Sequence, residues 1–227
     1  MTHDEFLSVA AGYLDSYQAS IAVREHISNI DFVPIIGPSG VGKTTVIKRL
    51  GLPTVLSDMT RERRPDEIDG EDAFFRTDYD RMMQELEDGE FAQFAMGPDG
   101  EFYATRSSAY PPEGFAVMPF VANALPSVRK LGFRSITPIC LVAPTPDEWA
   151  KRYETKQHPP ERHIKRLAEA RQSLQLCLQD PEIFFVINGD LTTACQEIQH
   201  ILASHVSDAS QRDKARSAAL AMLEQLG

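Results

Sequence analysis

Cysteine is scarce in this chain. It has three, Cys140, Cys177 and Cys195, an odd number without metal-ligand spacing. That argues against a disulfide framework, suits a reducing, cytosolic setting, and reads all three as buried core thiols. No apolar run approaches the ~20 residues that span a bilayer, so no membrane segment is expected. The opening MTHDEF has neither a basic nor an apolar leader region, so no secretory signal is expected either. Positive charge is also short: 23 Lys and Arg stand against 33 Asp and Glu, a net charge of -10. A polyanion would be repelled by that mean field, which excludes a general nucleic-acid partner. It leaves room for a small phosphorylated ligand, because a local basic pocket can exist in an acidic protein, and TRERR (60–64) points to one.

What is present reads as a globular α/β chain. The 227 residues give a prior of one to two domains at roughly 150 residues each. Residues 3–28 carry helical spacing (Phe6, Ala10, Tyr13, Leu14, Tyr17, Ile21) after a Thr2/Glu5 capping box, which predicts one amphipathic helix. DFVPIIG (31–37) reads as a buried strand, TTVIKRL (44–50) as a helix, and 53–57 as a second short strand. Residues 57–105 are polar and loop-rich, with a helical pattern at 78–89 and a hairpin of 91–95 and 101–105 around GPDG. Alternation then resumes: strands at 114–120, 136–144 and 182–189, and helices at 122–131, 146–154, 164–178 and 191–205. A last helix over 208–227 begins at Asp208. Strands alternating with helices predict a mainly parallel sheet flanked by helices. The segments 57–105 and 155–163 interrupt it, as substrate-binding inserts and lids do. The apolar stripe on the last helix (Ala215, Ala218, Ala219, Met222, Leu223, Leu226) reads as packing on the domain rather than a dimer contact, which leaves the oligomeric state open.

The sharpest signal is Gly37-Pro38-Ser39-Gly40-Val41-Gly42-Lys43-Thr44, followed by Thr45. It has the form G-x-x-x-x-G-K-[ST], between an apolar strand and a helix. Glycines let backbone N–H groups turn inward onto phosphate oxygens, and the following helix adds the positive end of its dipole. Lys43 suits the transferring and leaving phosphates, and the Thr44 hydroxyl suits Mg²⁺. Alone, this implies binding of a nucleoside triphosphate with Mg²⁺, which switch GTPases, motor ATPases and small-molecule kinases share.

Next comes Thr60-Arg61-Glu62-Arg63-Arg64-Pro65-Asp66-Glu67-Ile68-Asp69-Gly70. Arginine forks pair bidentately with phosphate oxygens, so this segment could grip a second phosphate; it could equally be a solvated loop with local Arg–Glu pairs. Its spacing resembles the guanylate kinase family. That family carries G-P-S-G-x-G-K and then S-x-T-T-R-x-x-R-x-x-E-x-x-G-x-D-Y-x-F. Here the matching residues are Ser57, Met59, Thr60, Arg61, Arg64, Glu67, Gly70, Asp72, Ala73 and Phe75. The resemblance continues through Gly89-Glu90-Phe91, Phe102-Tyr103-Ala104-Thr105, LVAPTP, the Arg152 and Arg166 helices and Val186–Leu191, covering about 31–205. Residues 1–30 and 206–227 lie outside it.

The resemblance implies ATP-dependent phosphoryl transfer to GMP with Mg²⁺. Arg61, Arg64 and Tyr103 would hold the acceptor phosphate, and Ser57 and Thr105 its base. Arg152 and Arg166 would close over the triphosphate, and Asn188 would lie near its adenine. The segment 57–105 would be the monophosphate-binding insert and 155–163 the lid.

Departures cluster at the acceptor side. Gln93 stands where the family has a guanine-reading glutamate, offering one acceptor and one donor group instead of two acceptors. Val117-Met118-Pro119-Phe120 replaces a strand with two aspartates, and no acidic residue occurs between Glu113 and Asp147. The metal would then rest on Thr44, phosphate oxygens and water. Phe120 reads as a core phenylalanine or as a base-stacking ring. Ala73 replaces a phosphate-binding tyrosine, with Tyr79 nearby. The lid has Lys156, His158, Arg162 and His163 where the family has more arginines, and the Gly97–Gly100 turn carries one inserted residue. Two other readings follow from these changes: a binding module for a phosphorylated partner, and a kinase of a phosphorylated sugar.

Overall fold

The structure is a computed structural model that describes every residue except 66, 98–99, 156–159 and 227, and the backbone alone at 160–162. It divides into two compact units.

One unit gathers Phe32–Leu52, Val117–Pro126 and Ile136–Gly227. Its sheet runs β6 (Gly114–Pro119), β1 (Ile30–Ile36), β8 (Ile139–Val142), β9 (Phe184–Ile187), with β7 (Ser135–Ile136) also paired to β1. β1 pairs parallel to β8, and β8 parallel to β9. Ile35, Ile36 and the whole of β8 are buried, as expected of parallel strands covered on both faces. The helices are α3 (Lys43–Leu50), one-turn α5 (Leu125–Val128), α6 (Pro146–Glu154), α7 (Pro160–Gln179), α8 (Leu191–Ser204) and α9 (Ala209–Gln225). α9 starts at Asp208, whose carboxylate accepts from the Gln211 N–H. It lies against β9, α7 and α6 and buries Ala215, Ala218, Ala219 and Met222.

The other unit gathers Met1–Asp31, Pro53–Ala116 and Ser127–Ser135. A four-stranded sheet runs β3 (Phe74–Phe75), β2 (Asp58–Met59), β5 (Phe102–Arg106), β4 (Phe91–Met96), with β4 and β5 antiparallel. α1 (His3–Ala11) and α4 (Tyr79–Glu87) cover one face. Phe6, Ala10, Met82, Met83, Leu86, Phe91, Phe102 and Ala104 form its core. The N-terminal segment therefore builds the same core as the insert.

Several elements differ from the sequence reading. Residues 3–28 form two helices, α1 and α2 (Ile21–Ile27), not one. Gly12 caps α1, and Ser20 restarts a helix by accepting from the Val23 N–H. Between them Tyr17 donates to the Phe91 carbonyl (2.5 Å) and the Ser20 N–H to the Gly89 carbonyl (2.9 Å), bonds that a continuous helix would forgo. The strand expected at 53–57 lies at 58–59, in the small sheet; the Ser57 carbonyl accepts from Phe74 N–H. The stretch 136–144 splits at Pro138, which has no N–H for a ladder. Only one helical turn forms within 122–131, after a 3₁₀ turn at Ala122–Ala124. α7 begins at Pro160, inside the expected lid loop, as suits proline at a first helical position. Lys156 and His158 lie outside the described residues, as does the Arg162 side chain.

Candidate functional site

The first half of the site is the loop between β1 and α3. Gly37 has φ of +138°, and a Cβ there would collide with the Leu141 carbonyl. Gly42 has φ of +93°, and a Cβ there would collide with the Asn188 side-chain amide. Only glycine fits these two positions. Buried Asn188 donates from Nδ2 to the Val41 carbonyl (2.8 Å), and Trp149 Nε1 donates to the Ser39 carbonyl (2.9 Å). Two neighbouring elements thus fix the loop's backbone. Lys43 Nζ donates to the Gly37 and Pro38 carbonyls, at 2.5 and 3.1 Å. Its ammonium is held along the rim of the loop.

A cleft of about 520 Å³ opens here, lined by Ser39, Gly40, Gly42, Lys43, Thr44, Thr45, Arg152, Thr155, Asn188, Gly189 and Leu191. Arg152 Nη1 donates to the Asn188 carbonyl (2.7 Å), and its Nε donates to Glu148 (3.0 Å). So Arg152 is aimed by two partners. Arg166 is not in this lining; its guanidinium pairs with Glu169 three residues on along α7 (2.5 Å). Of the residues expected around the triphosphate, the structure gathers the loop, Thr44, Thr45, Arg152 and Asn188, and leaves Arg166 outside the lining. Trp149 and Glu148, which hold the loop and Arg152, were not singled out in the sequence. Both lie within one turn of Arg152 on α6, the signal that could have found them.

The cleft's donor set can be weighed against a triphosphate and its metal. A glycine concavity with an ammonium and a guanidinium on its rim fits a polyphosphate. Among the described residues no group of three or more His, Cys, Asp or Glu could hold a metal ion. Among the hydroxyls that line the cleft, Thr44 fits a Mg²⁺ carried on a triphosphate.

The second half lies on the small sheet. Side chains alternate across a strand, and the registers set which residues share a face. Gln93 pairs opposite Thr105, and Met59 opposite both Tyr103 and Phe75. These residues occupy the face opposite Phe102, Ala104 and Phe94, which pack toward α1 and α4. Gln93, Tyr103 and Thr105 thus share a face, as a common site requires. Ser57 is partly exposed and precedes β2. Thr105 is buried, and burial pushes the pKa of the Tyr110 hydroxyl well above the ordinary tyrosine range.

Arg61 extends over the Phe75 ring, 5.1 Å from its centroid, and forks onto both Glu67 carboxylate oxygens at 2.7 and 2.8 Å. Arg64 Nη1 also reaches Glu67 (3.3 Å). Burial weighs against the Arg61 charge, yet Glu67 and Tyr103 hold its pKa above the ordinary arginine value. Burial likewise opposes the Glu67 charge, and Arg61 with the Arg64 N–H hold its pKa below the usual carboxylate range. Glu67 therefore collects Arg61 and Arg64 into one positive patch. It appears in the sequence motif without a role, and it forms the local Arg–Glu pairs that the segment's composition allowed.

Two departures find structural accounts. Phe120 is buried and meets Phe32 edge-on (5.7 Å between centroids), so it is a core ring rather than a base platform. Met118 is buried beside it in sequence. Tyr79 does not stand in for the missing tyrosine; it stacks on His3 and Phe6. Ala73 is buried, its carbonyl accepting from Gly70 N–H (2.8 Å). The cysteines are free and buried, as expected.

Comparison with known proteins gives the family and the fold. A family model described as guanylate kinase matches residues 31–205. A guanylate kinase of Nocardia farcinica is 30% identical over 195 residues, covering 79% of this chain and 97% of that protein. One from Mycobacterium leprae is 31% identical over 186 residues, covering 77% and 87%. The crystal structure of guanylate kinase from Anaplasma phagocytophilum superposes with a TM-score of 0.53 at 17% identity, over 84% of this chain and 93% of that one.

Proposed function

The chain belongs to the guanylate kinase family, and from that premise we propose that it transfers the terminal phosphoryl group of ATP to GMP, giving ADP and GDP. The observation that carries the reading is the pairing of features within one chain. A phosphate-binding loop is held open by Asn188 and Trp149, and a separate Arg61–Arg64 patch sits on the small sheet. Phosphoryl transfer leaves little covalent work for a protein, so positioning and positive charge dominate.

On this reading each residue has a part. Loop amides from Gly37 to Thr45 hold the phosphates of the donor, and Lys43 exchanges its two carbonyl partners for phosphate oxygens. Arg152, aimed by Glu148, neutralises charge that grows on the moving group; Arg166 does so once released from Glu169. The Thr44 hydroxyl would hold the Mg²⁺ of the nucleotide, which would supply charge neutralisation. Asn188 lies beside the donor base. Arg61, Arg64 and Tyr103 hold the acceptor phosphate, and Ser57, Gln93 and Thr105 edge the base.

The test is ADP formation with ATP and Mg²⁺ against a panel of GMP, dGMP, AMP, UMP and dTMP. GMP-dependent turnover that disappears in Lys43→Ala supports the reading. Turnover on another base relocates the specificity to Gln93. ATP binding without turnover on any member contradicts the reading and favours the binding module that the carboxylate-free stretch 117–120 would suit.

A further inference from the structure

Residues 1–30 lie outside the match to the family, yet they are fastened to the acceptor-side unit along its length. Phe6 and Ala10 are fully buried in its core. The Met1 ammonium pairs with Asp80 (2.6 Å) and Tyr17 holds the Phe91 carbonyl. One of these attachments reaches the site. His3 Nε2 lies 3.0 Å from Glu101 Oε2, and the Thr60 hydroxyl donates to that same oxygen (2.6 Å). Thr60 Oγ1 in turn accepts from the Phe102 N–H (3.0 Å), and the Thr60 N–H donates to the Phe102 carbonyl (3.2 Å).

The direction of each bond is fixed. Thr60 spends its one proton on Glu101, so Glu101 accepts, and His3 must donate from Nε2–H. Thr60 is buried, with Glu101 and His3 partly so, and a bond onto a carboxylate in such a place is stronger than one in water. Strand alternation then decides what the chain of bonds controls. Thr60 and Phe102 face α1. Their neighbours Arg61 and Tyr103 face the other way and are bonded to each other. Pinning Thr60 to Phe102 from behind therefore fixes the backbone from which both of these side chains spring.

We infer that His3 is a positioning residue: through Glu101 and Thr60 it latches the N-terminal helix onto the two strands that present Arg61 and Tyr103 to an acceptor phosphate. The kinetic consequence rests on the function proposed above; the mechanical one does not. Two readouts on the full chain separate them. The first is amide hydrogen exchange at Thr60 and Phe102, which needs no substrate. His3→Ala is expected to accelerate it on the order of tenfold, and His3→Gln, which keeps an N–H near the Nε2 position, to restore it. The second is steady-state kinetics. His3→Ala is expected to raise KM for the monophosphate about fivefold to tenfold, with KM for ATP and kcat within about twofold, and His3→Gln to recover the loss.

Unchanged exchange in His3→Ala overturns the latch, as does a His3→Gln variant no better than alanine. Loss of kcat and both KM values together overturns it too, since that pattern reports general damage. A wild-type protein that phosphorylates no monophosphate defeats the function proposed above and with it the kinetic arm. The exchange arm still decides for or against the latch.

Discussion

At the scale of single residues, the proposed chemistry rests on the loop glycines, Lys43 and the Arg61–Glu67 fork. Gly42→Ala places a Cβ against the Asn188 amide at a φ that side chains rarely adopt. ATP affinity is expected to fall at least tenfold, measured by calorimetric titration. Lys43→Ala is expected to lower kcat by roughly 10²–10³-fold with only a small loss of melting temperature, because it removes charge stabilisation and two bonds to the Gly37 and Pro38 carbonyls but no packing. Gln93 sits across from Thr105 on the face proposed to edge the base. Gln93→Glu replaces a neutral hydrogen bond with a charge-assisted one, and is expected to favour GMP by about 1 kcal/mol, roughly fivefold in kcat/KM. Glu67 adds a pH dependence. Its folded pKa is depressed by Arg61 and Arg64, so its stabilisation is present above the ordinary glutamate range and is lost as pH falls through the folded value. The stability gap between wild type and Glu67→Gln should therefore be full at neutral pH and close in acid, as followed by thermal melts across pH.

At the scale of elements, α1 is the informative one. It is a short helix that tertiary packing must hold, and Phe6 is its anchor. Phe6→Ala is expected to cost about 3–5 kcal/mol, the usual range for emptying a buried aromatic site. The loss should show as faster hydrogen exchange in β4 and β5, with β8 and β9 unaffected; uniform loss would contradict a separate core for this unit. This helix also marks the limit of what the sequence made legible. Its apolar spacing and capping box were readable, and the box is present. Its stop at Gly12 was not, because the competing bonds come from Gly89 and Phe91, some seventy residues away. Long buried strands were legible because unbroken apolar runs have few alternatives. Two-residue strands such as β2 and β3 were not, because their pairing is set wholly by partners.

At the scale of the whole molecule, the α/β class with a mainly parallel sheet was plain in the alternation of elements, and so was the phosphate loop. The loop motif was legible because each position has one physical job that few residues can do. The role proposed for the Arg61–Arg64 patch was legible only through spacing shared with a family. Arg61 and Arg64 stand together because both pair with Glu67, the local Arg–Glu pairing that the segment allowed. The most direct test of the whole account follows the phosphoryl group itself. ATP labelled on its γ-phosphate is incubated with GMP, Mg²⁺ and the purified chain, and the labelled products are separated. The account predicts label in GDP, absent with Lys43→Ala. Label released only as inorganic phosphate, or retained in ATP while both nucleotides bind, would contradict it.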